Sequence, residues 1–240
     1  MIINNVKLVL ENEVVHGSLE VQDGEIRAFA ESQSRLPEAM DGEGGWLLPG
    51  LIELHTDNLD KFFTPRPKVD WPAHSAMSSL DALMVASGIT TVLDAVAIGD
   101  VRDGGDRLEN LEKMINAIEE TQKRGVNRAE HRLHLRCELP HHTTLPLFEK
   151  LAQLGLLDIL SSDYYPASLL DAAFRVADDQ SNRFTLPQAV RLVTKNPAQA
   201  LNLQDRGVIG EGNRADLVLA HRKGNHIHID HVWRQGKRVF

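Results

Sequence analysis

The chain has 240 residues, 42% apolar and 25% charged, a composition that excludes a disordered chain and fits one large domain or one domain with a small companion. Its formal net charge of -8 excludes a surface built mainly to grip nucleic acid, because phosphate contacts at physiological salt lean on clustered Lys and Arg; a local basic pocket for a small anion is compatible with it. No stretch approaches the roughly 18 apolar residues of a membrane span, no signal-peptide pattern opens the sequence, and the single cysteine, Cys137, suits a reducing compartment, so the expectation is a cytoplasmic protein without membrane contact.

In chain order, residues 2–10, 14–21 and 25–30 read as short strands, with Asp23-Gly24 as the tight turn between the last two. A glycine-rich crossing, Asp41 to Gly45, follows, and from Trp46 apolar strands alternate with amphipathic helices, the mark of an α/β barrel or open α/β sheet. The predicted units are a strand over 46–54, a proline-containing loop, a helix over about 75–87 stopped by Gly88, and a strand over 90–95. A charged helix from about Asp106 to Arg124, ended by Gly125, precedes a strand from His131 to Leu139. A helix from Thr143 or Thr144 to Leu154, stopped by Gly155, leads to a strand over 156–160. Then come a helix through about Ala177, another from Thr185 with Pro187 near its start, and strands over 215–220, 227–233 and 237–240 that return to the opening sheet.

The passage most indicative of chemistry is Leu47 to Asp57, where an apolar strand runs into two potential metal ligands one residue apart. Alternation along an extended segment turns His55 and Asp57 to the same side, where they can share a divalent cation. Considered without their surroundings they read better as a satisfied pair at a strand end than as ligands. Among the remaining candidates, adjacent His141 and His142 in a Pro-flanked loop read as solvent-exposed, and Asp158 reads as structural. His226, His228 and Asp230 read as the polar face of a strand, with His221 and His231 nearby. Gly104-Gly105 carries no phosphate-binding motif, and Cys137 reads as core.

Pro49-Gly50-Leu51-Ile52-Glu53-Leu54-His55 resembles the first-strand signature of the amidohydrolase superfamily, and Asn196 to Leu203 with Gly207 to Val218 is similar to its exit from the barrel. Glu53 to Asp60, Arg136-Cys137-Glu138 and Ser161 to Pro166 resemble, more narrowly, the branch that serves the carbon-phosphorus lyase pathway; together the likeness spans about 1–150 and 155–240. It implies a metal-dependent hydrolase (TIM-like) barrel over 46–204 beside a small β-sandwich domain composed of 1–45 and 205–240. It also implies hydrolysis of ribose 1-methylphosphonate 5-triphosphate to the 5-phosphate and pyrophosphate. By the same resemblance His55, Asp57, Glu138 and Asp163 are the metal ligands, with Glu138 able to bridge two ions and Asp163 the catalytic proton acceptor. One or two ions of Zn or Mn would lower the pKa of bound water towards about 7, and a pair roughly 3.5 to 4 Å apart would clamp attacking and departing oxygens. Lys61, Arg66 and Lys68 are the candidates for a small anionic phosphorylated substrate.

One departure stands out. Only 24 residues separate Glu138 from Asp163, where the superfamily places several βα units carrying two more histidine ligands, so the barrel is expected to be incomplete through an internal deletion joined near Leu151 to Gly155. Open strand edges in such a chain favour self-association into a homo-oligomer. Two alternatives therefore stand beside the phosphoanhydride hydrolase: an amidohydrolase acting on a cyclic amide or deaminating a base, which Asp57 in place of a second histidine disfavours, and an inactive or merely binding remnant.

Overall fold

The computed structural model describes residues 1–98, 107–137, 161–179 and 184–240. Three strands open the chain: β1 (Ile2–Val9), β2 (Val14–Gln22) and β3 (Glu25–Ala30). The β2–β3 turn is Asp23-Gly24, both in the left-handed region (φ +53° and +86°), the geometry that a two-residue hairpin with right-twisted strands requires. Two further strands, β4 (Met40–Asp41) and β5 (Trp46–Pro49), join them, and the C-terminal β9 (Leu217–Lys223), β10 (His226–Arg234) and β11 (Lys237–Arg238) complete an eight-stranded sheet. Its order is β11-β10-β9-β5-β1-β2-β3, with β4 beside β1, so β5 joins the two ends of the chain. Ile3, Leu8, Leu19 and Ile26 from the opening strands share a buried cluster with Leu217, Leu219 and Trp233 from the closing ones, so one face of the sheet packs against itself.

A second sheet is parallel, with order β6 (Leu51–Thr56), β7 (Ile89–Ile98), β8 (Glu130–Cys137). Its crossovers are α1 (Asn58–Phe63) with α2 (Ala73–Ala86), and then α3 (Arg107–Lys123). Gly88 and Gly125 stop α2 and α3 in the left-handed conformation expected of a glycine past a helix end. Leu59, Phe63, Met77, Leu80 and Met84 from α1 and α2 pack with Val92 and Val96 of β7 and Met114 and Ile118 of α3. Among the described residues no helix is long and apolar enough to cross a membrane.

The apolar run 46–54, expected as one strand, is two. β5 pairs with β1 and β9, β6 pairs with β7, and Gly50 carries the chain from one sheet to the other. Its backbone N–H donates to Asp216 O at 2.7 Å, and a Cβ there would lie 2.7 Å from Thr90 Cγ2 and 3.0 Å from Asp216 Cβ. Only glycine lets the main chain thread so close. After a 3-10 turn at Pro166–Ser168 comes α4 (Leu169–Asp178). The segment from Thr185 forms α5 (Leu186–Arg191), begun by a capping box of Thr185 and Gln188, and a separate α6 (Lys195–Ala200). The two part where Val193 O accepts from Ile52 N at 2.9 Å, a bond to the parallel sheet.

Two polar clusters tie these layers. His131 of β8, fully buried, lies between Asp94 of β7 (Nδ1 to Oδ2, 2.8 Å) and Asp81 of α2 (Nε2 to Oδ1, 3.2 Å). Burial alone would push the imidazole down, but the two carboxylates more than reverse it and raise its pKa to about 9. Asp81 also accepts from the backbone N–H groups of Arg128 and Ala129, and these donors with His131 outweigh burial and hold its carboxyl low. Glu130, the first residue of β8, accepts from Arg206 (2.7 Å), Arg214 (2.8 Å) and Arg132 (2.7 Å), which overcome burial and hold it well below the carboxylate range. Arg214 also pairs with Asp216, next to β9, so this cluster joins the parallel sheet to the chain's return into the larger one.

Candidate metal centre

Leu51, Ile52, Glu53 and Thr56 are buried and His55 is half-buried, so β6 rises from the core and brings the His55 side chain to an accessible rim. Thr56 ends the strand, and Asp57 sits just before α1 with φ -87° and ψ 9°. His55 and Asp57 therefore meet because the chain turns into a helix, not through simple strand alternation. His55 Nε2 lies 3.6 Å from Asp57 Oδ1 and 3.5 Å from Asp163 Oδ1. One donor atom from each of the three residues falls within 4.8 Å of the others.

Asp163 arrives from more than a hundred residues away and docks beside the strand. It forms a parallel bridge with Thr56, and its carbonyl accepts from Thr56 Oγ1 (2.8 Å) and Asn58 Nδ2 (3.1 Å). Just before it, Ser162 N donates to Glu53 Oε2 at 2.8 Å, and Ser161 Oγ reaches both Glu53 Oε1 and His55 O. Sequence reading placed Glu53 in a signature and gave it no task, because its partners lie over a hundred positions away. His134 was also passed over. Its ring stands edge-on to His55 with centroids 5.0 Å apart, and its Nδ1 lies 3.1 Å from Leu54 O, a contact that strand pairing alone does not reveal.

Of the expected substrate cations, Lys61 holds its ammonium 3.6 Å from the ring centre of Tyr164, the residue after Asp163. Arg66 and Lys68 are exposed in the loop between α1 and α2, in a turn where Val69 N donates to Arg66 O at 3.1 Å; the structure does not tie them to the three donors. Glu138, expected as a bridging ligand, lies outside the described residues. So do His141, His142, Asp158, Gly104-Gly105, the side chain of Cys137, and the helix and strand expected between 143 and 160. The C-terminal histidines occupy the β9–β10 hairpin: His228 pairs across from His221, whose Nδ1 lies 2.6 Å from Asp230 Oδ2. That bond raises the pKa of His221 and gives this polar face its own partner.

Among the described residues one imidazole and two carboxylates form a mixed donor set of the kind that a divalent cation takes. Residues 128–240 match the model of the amidohydrolase family. The chain is 62% identical to the alpha-D-ribose 1-methylphosphonate 5-triphosphate diphosphatase of Escherichia coli (strain K12), in an alignment of 378 positions that covers 100% of each chain. With 240 residues against 378 positions, at least 138 positions face a gap, and because both chains are covered from end to end the gap is internal. Among solved structures, N-acetylglucosamine-6-phosphate deacetylase from Pasteurella multocida is similar in fold, with a TM-score of 0.66 at 11% identity over 99% of each chain. N-isopropylammelide isopropylaminohydrolase from Burkholderia multivorans is similar too, with a TM-score of 0.65 at 15% identity over 99% of this chain and 97% of that one.

Proposed function

Because this chain belongs to the amidohydrolase family, we propose that it is a metal-dependent hydrolase of phosphonate catabolism, acting in the cytoplasm on ribose 1-methylphosphonate 5-triphosphate and releasing pyrophosphate. The observation that carries this reading is the convergence of His55, Asp57 and Asp163 at the end of β6, in a chain 62% identical to a diphosphatase of that substrate. In this reading the parallel strands begin a shortened TIM-like barrel over 46–204, and the self-packed sheet is the β-sandwich domain of 1–45 and 205–240.

The donor set fits a divalent ion, Zn or Mn, held by His55, Asp57 and Asp163, with Glu138 available to bridge a second. Such an ion supplies, when bound, an acidified water and neutralisation of charge at the phosphoryl oxygens. The chain's own groups do the rest. His55 offers its Nε2 as the one imidazole donor of the group. Asp163 takes the proton from the attacking water. Lys61, held over Tyr164, meets the negative charge of the triphosphate at the rim, with Arg66 and Lys68 on the neighbouring loop as further cations.

A second reading, a remnant that binds metal without turnover, is favoured by the gap of at least 138 positions against the full-length relative. One pair of measurements separates the two: metal content per purified chain by plasma mass spectrometry, followed by pyrophosphate release from the ribose triphosphate. Retained metal with release that His55→Ala abolishes supports the hydrolase; retained metal without release supports the remnant. Metal retention unchanged in His55→Ala sinks the ligand assignment.

A further inference from the structure

Asp163 adopts φ +52°, a conformation that a non-glycine residue keeps only where its surroundings impose it. β6 and the start of α1 contribute contacts that do so. Glu53, fully buried, accepts from Ser162 N through Oε2 (2.8 Å) and from His55 N through Oε1 (3.1 Å), with Ser161 Oγ beside Oε1. One carboxylate thus grips the backbone of His55 and the residue before Asp163 at once. On the other side Asn58, also buried, spends its two amide hydrogens on Thr56 Oγ1 (2.6 Å) and Asp163 O (3.1 Å), while the Thr56 hydroxyl donates to the same carbonyl at 2.8 Å. Every donor in this set has an acceptor, so the geometry is over-determined.

We propose that Glu53 and Asn58 are positioning residues that fix the separation of His55 and Asp163 and so present a preformed metal-binding group; this rests on the ligand reading given above. Neither side chain belongs to the three-donor group. Both act through the backbone of residues that do. Glu53→Gln keeps the shape but turns an amide N–H2 toward a backbone or hydroxyl donor, which removes part of the grip. Asn58→Ala removes both amide bonds without enlarging anything.

The test is titration of the metal-stripped 240-residue protein with Co2+, followed by its visible absorption, for the unchanged chain, Glu53→Gln, Asn58→Ala and Asp81→Asn. Asp81 anchors His131 on the far side of β7, so its variant reports what general loosening does to metal binding. Loss of neighbouring hydrogen bonds around a metal site typically weakens binding about 10- to 100-fold, and that loss is expected for Glu53→Gln and Asn58→Ala. Asp81→Asn is expected to lower the unfolding midpoint and leave Co2+ affinity within about 3-fold, far below the loss expected at an outer metal contact. If Glu53→Gln does not fold, Asn58→Ala decides. Equal affinity in the unchanged chain and the two positioning variants overturns the inference while sparing the ligand reading, and so does an equal loss in Asp81→Asn. No Co2+ binding by the unchanged chain overturns both.

Discussion

Replacing His131 by Asn should destabilise the protein strongly at pH 6 and hardly at all at pH 10 by the loss of its charge. The imidazole is fully buried between Asp94 and Asp81, and its pKa is about 9 against 6.5 for the free side chain. The sign follows from proton binding. Below pH 6.5 folded and unfolded chains both hold the proton, and the whole stabilisation is present; as pH rises, the unfolded chain loses its proton first, and the contribution is gone once pH passes the folded value. At about 1.4 kcal/mol per pH unit the charged ring contributes about 3 kcal/mol at pH 6 and about 0.4 kcal/mol at pH 9. Urea unfolding of the unchanged chain and of His131→Asn, followed by far-ultraviolet circular dichroism at pH 6, 7.5, 9 and 10, measures this directly. The difference between the two proteins should shrink steadily across the series. A difference that stays constant from pH 6 to 10 would show that the ring holds its place as a neutral hydrogen-bonding group, and the charged-triad reasoning would fail.

Glu130→Gln should cost about 3 kcal/mol at neutral pH, because Arg206 and Arg214 are left mostly buried around a neutral amide. Since the carboxyl is held low in the fold, that contribution is present above the ordinary carboxylate range and lost as pH falls through and below it; acid unfolding curves of the two proteins should therefore converge. Gly50→Ala should destabilise by about 1 to 3 kcal/mol, the cost of forcing a methyl group against Thr90 and Asp216, seen as a lower thermal midpoint. A midpoint equal to that of the unchanged chain would mean the sheets separate easily at this crossing.

Most element positions were legible because they rest on local signals. Asp23-Gly24, Gly88 and Gly125 mark a turn and two helix ends, and the structure uses all three in the left-handed conformation that glycine, or Asp in a turn, permits. The division of the 46–54 run was not legible, since Leu47, Leu48, Leu51 and Ile52 are all fully buried and an unbroken apolar stretch looks the same whether it serves one sheet or two. Pro49-Gly50 was the local hint. At the site, His55 and Asp57 could be paired from spacing, although the turn into α1 rather than alternation brings them together. The tasks of Glu53 and Asn58 could not, because their bonds to Ser162 and Asp163 span 109 and 105 positions. Likewise His131 meets Asp81 and Asp94 across 50 and 37 positions, and no periodicity within β8 announces either partner.

The seam between Thr56 and Asp163 has a consequence for how such a chain tolerates loss or gain of length. Asp163 is fastened to β6 and the turn after it by groups that lie between Glu53 and Asn58. Nothing in that fastening refers to how many units the chain travels through in between. Loop closure also charges little for extra length, about 0.6 kcal/mol for each doubling. A chain closed by such a seam can therefore change the length of its interior while the corner of His55, Asp57 and Asp163 keeps its fastening, which makes this corner the natural fixed point for grafting or trimming experiments.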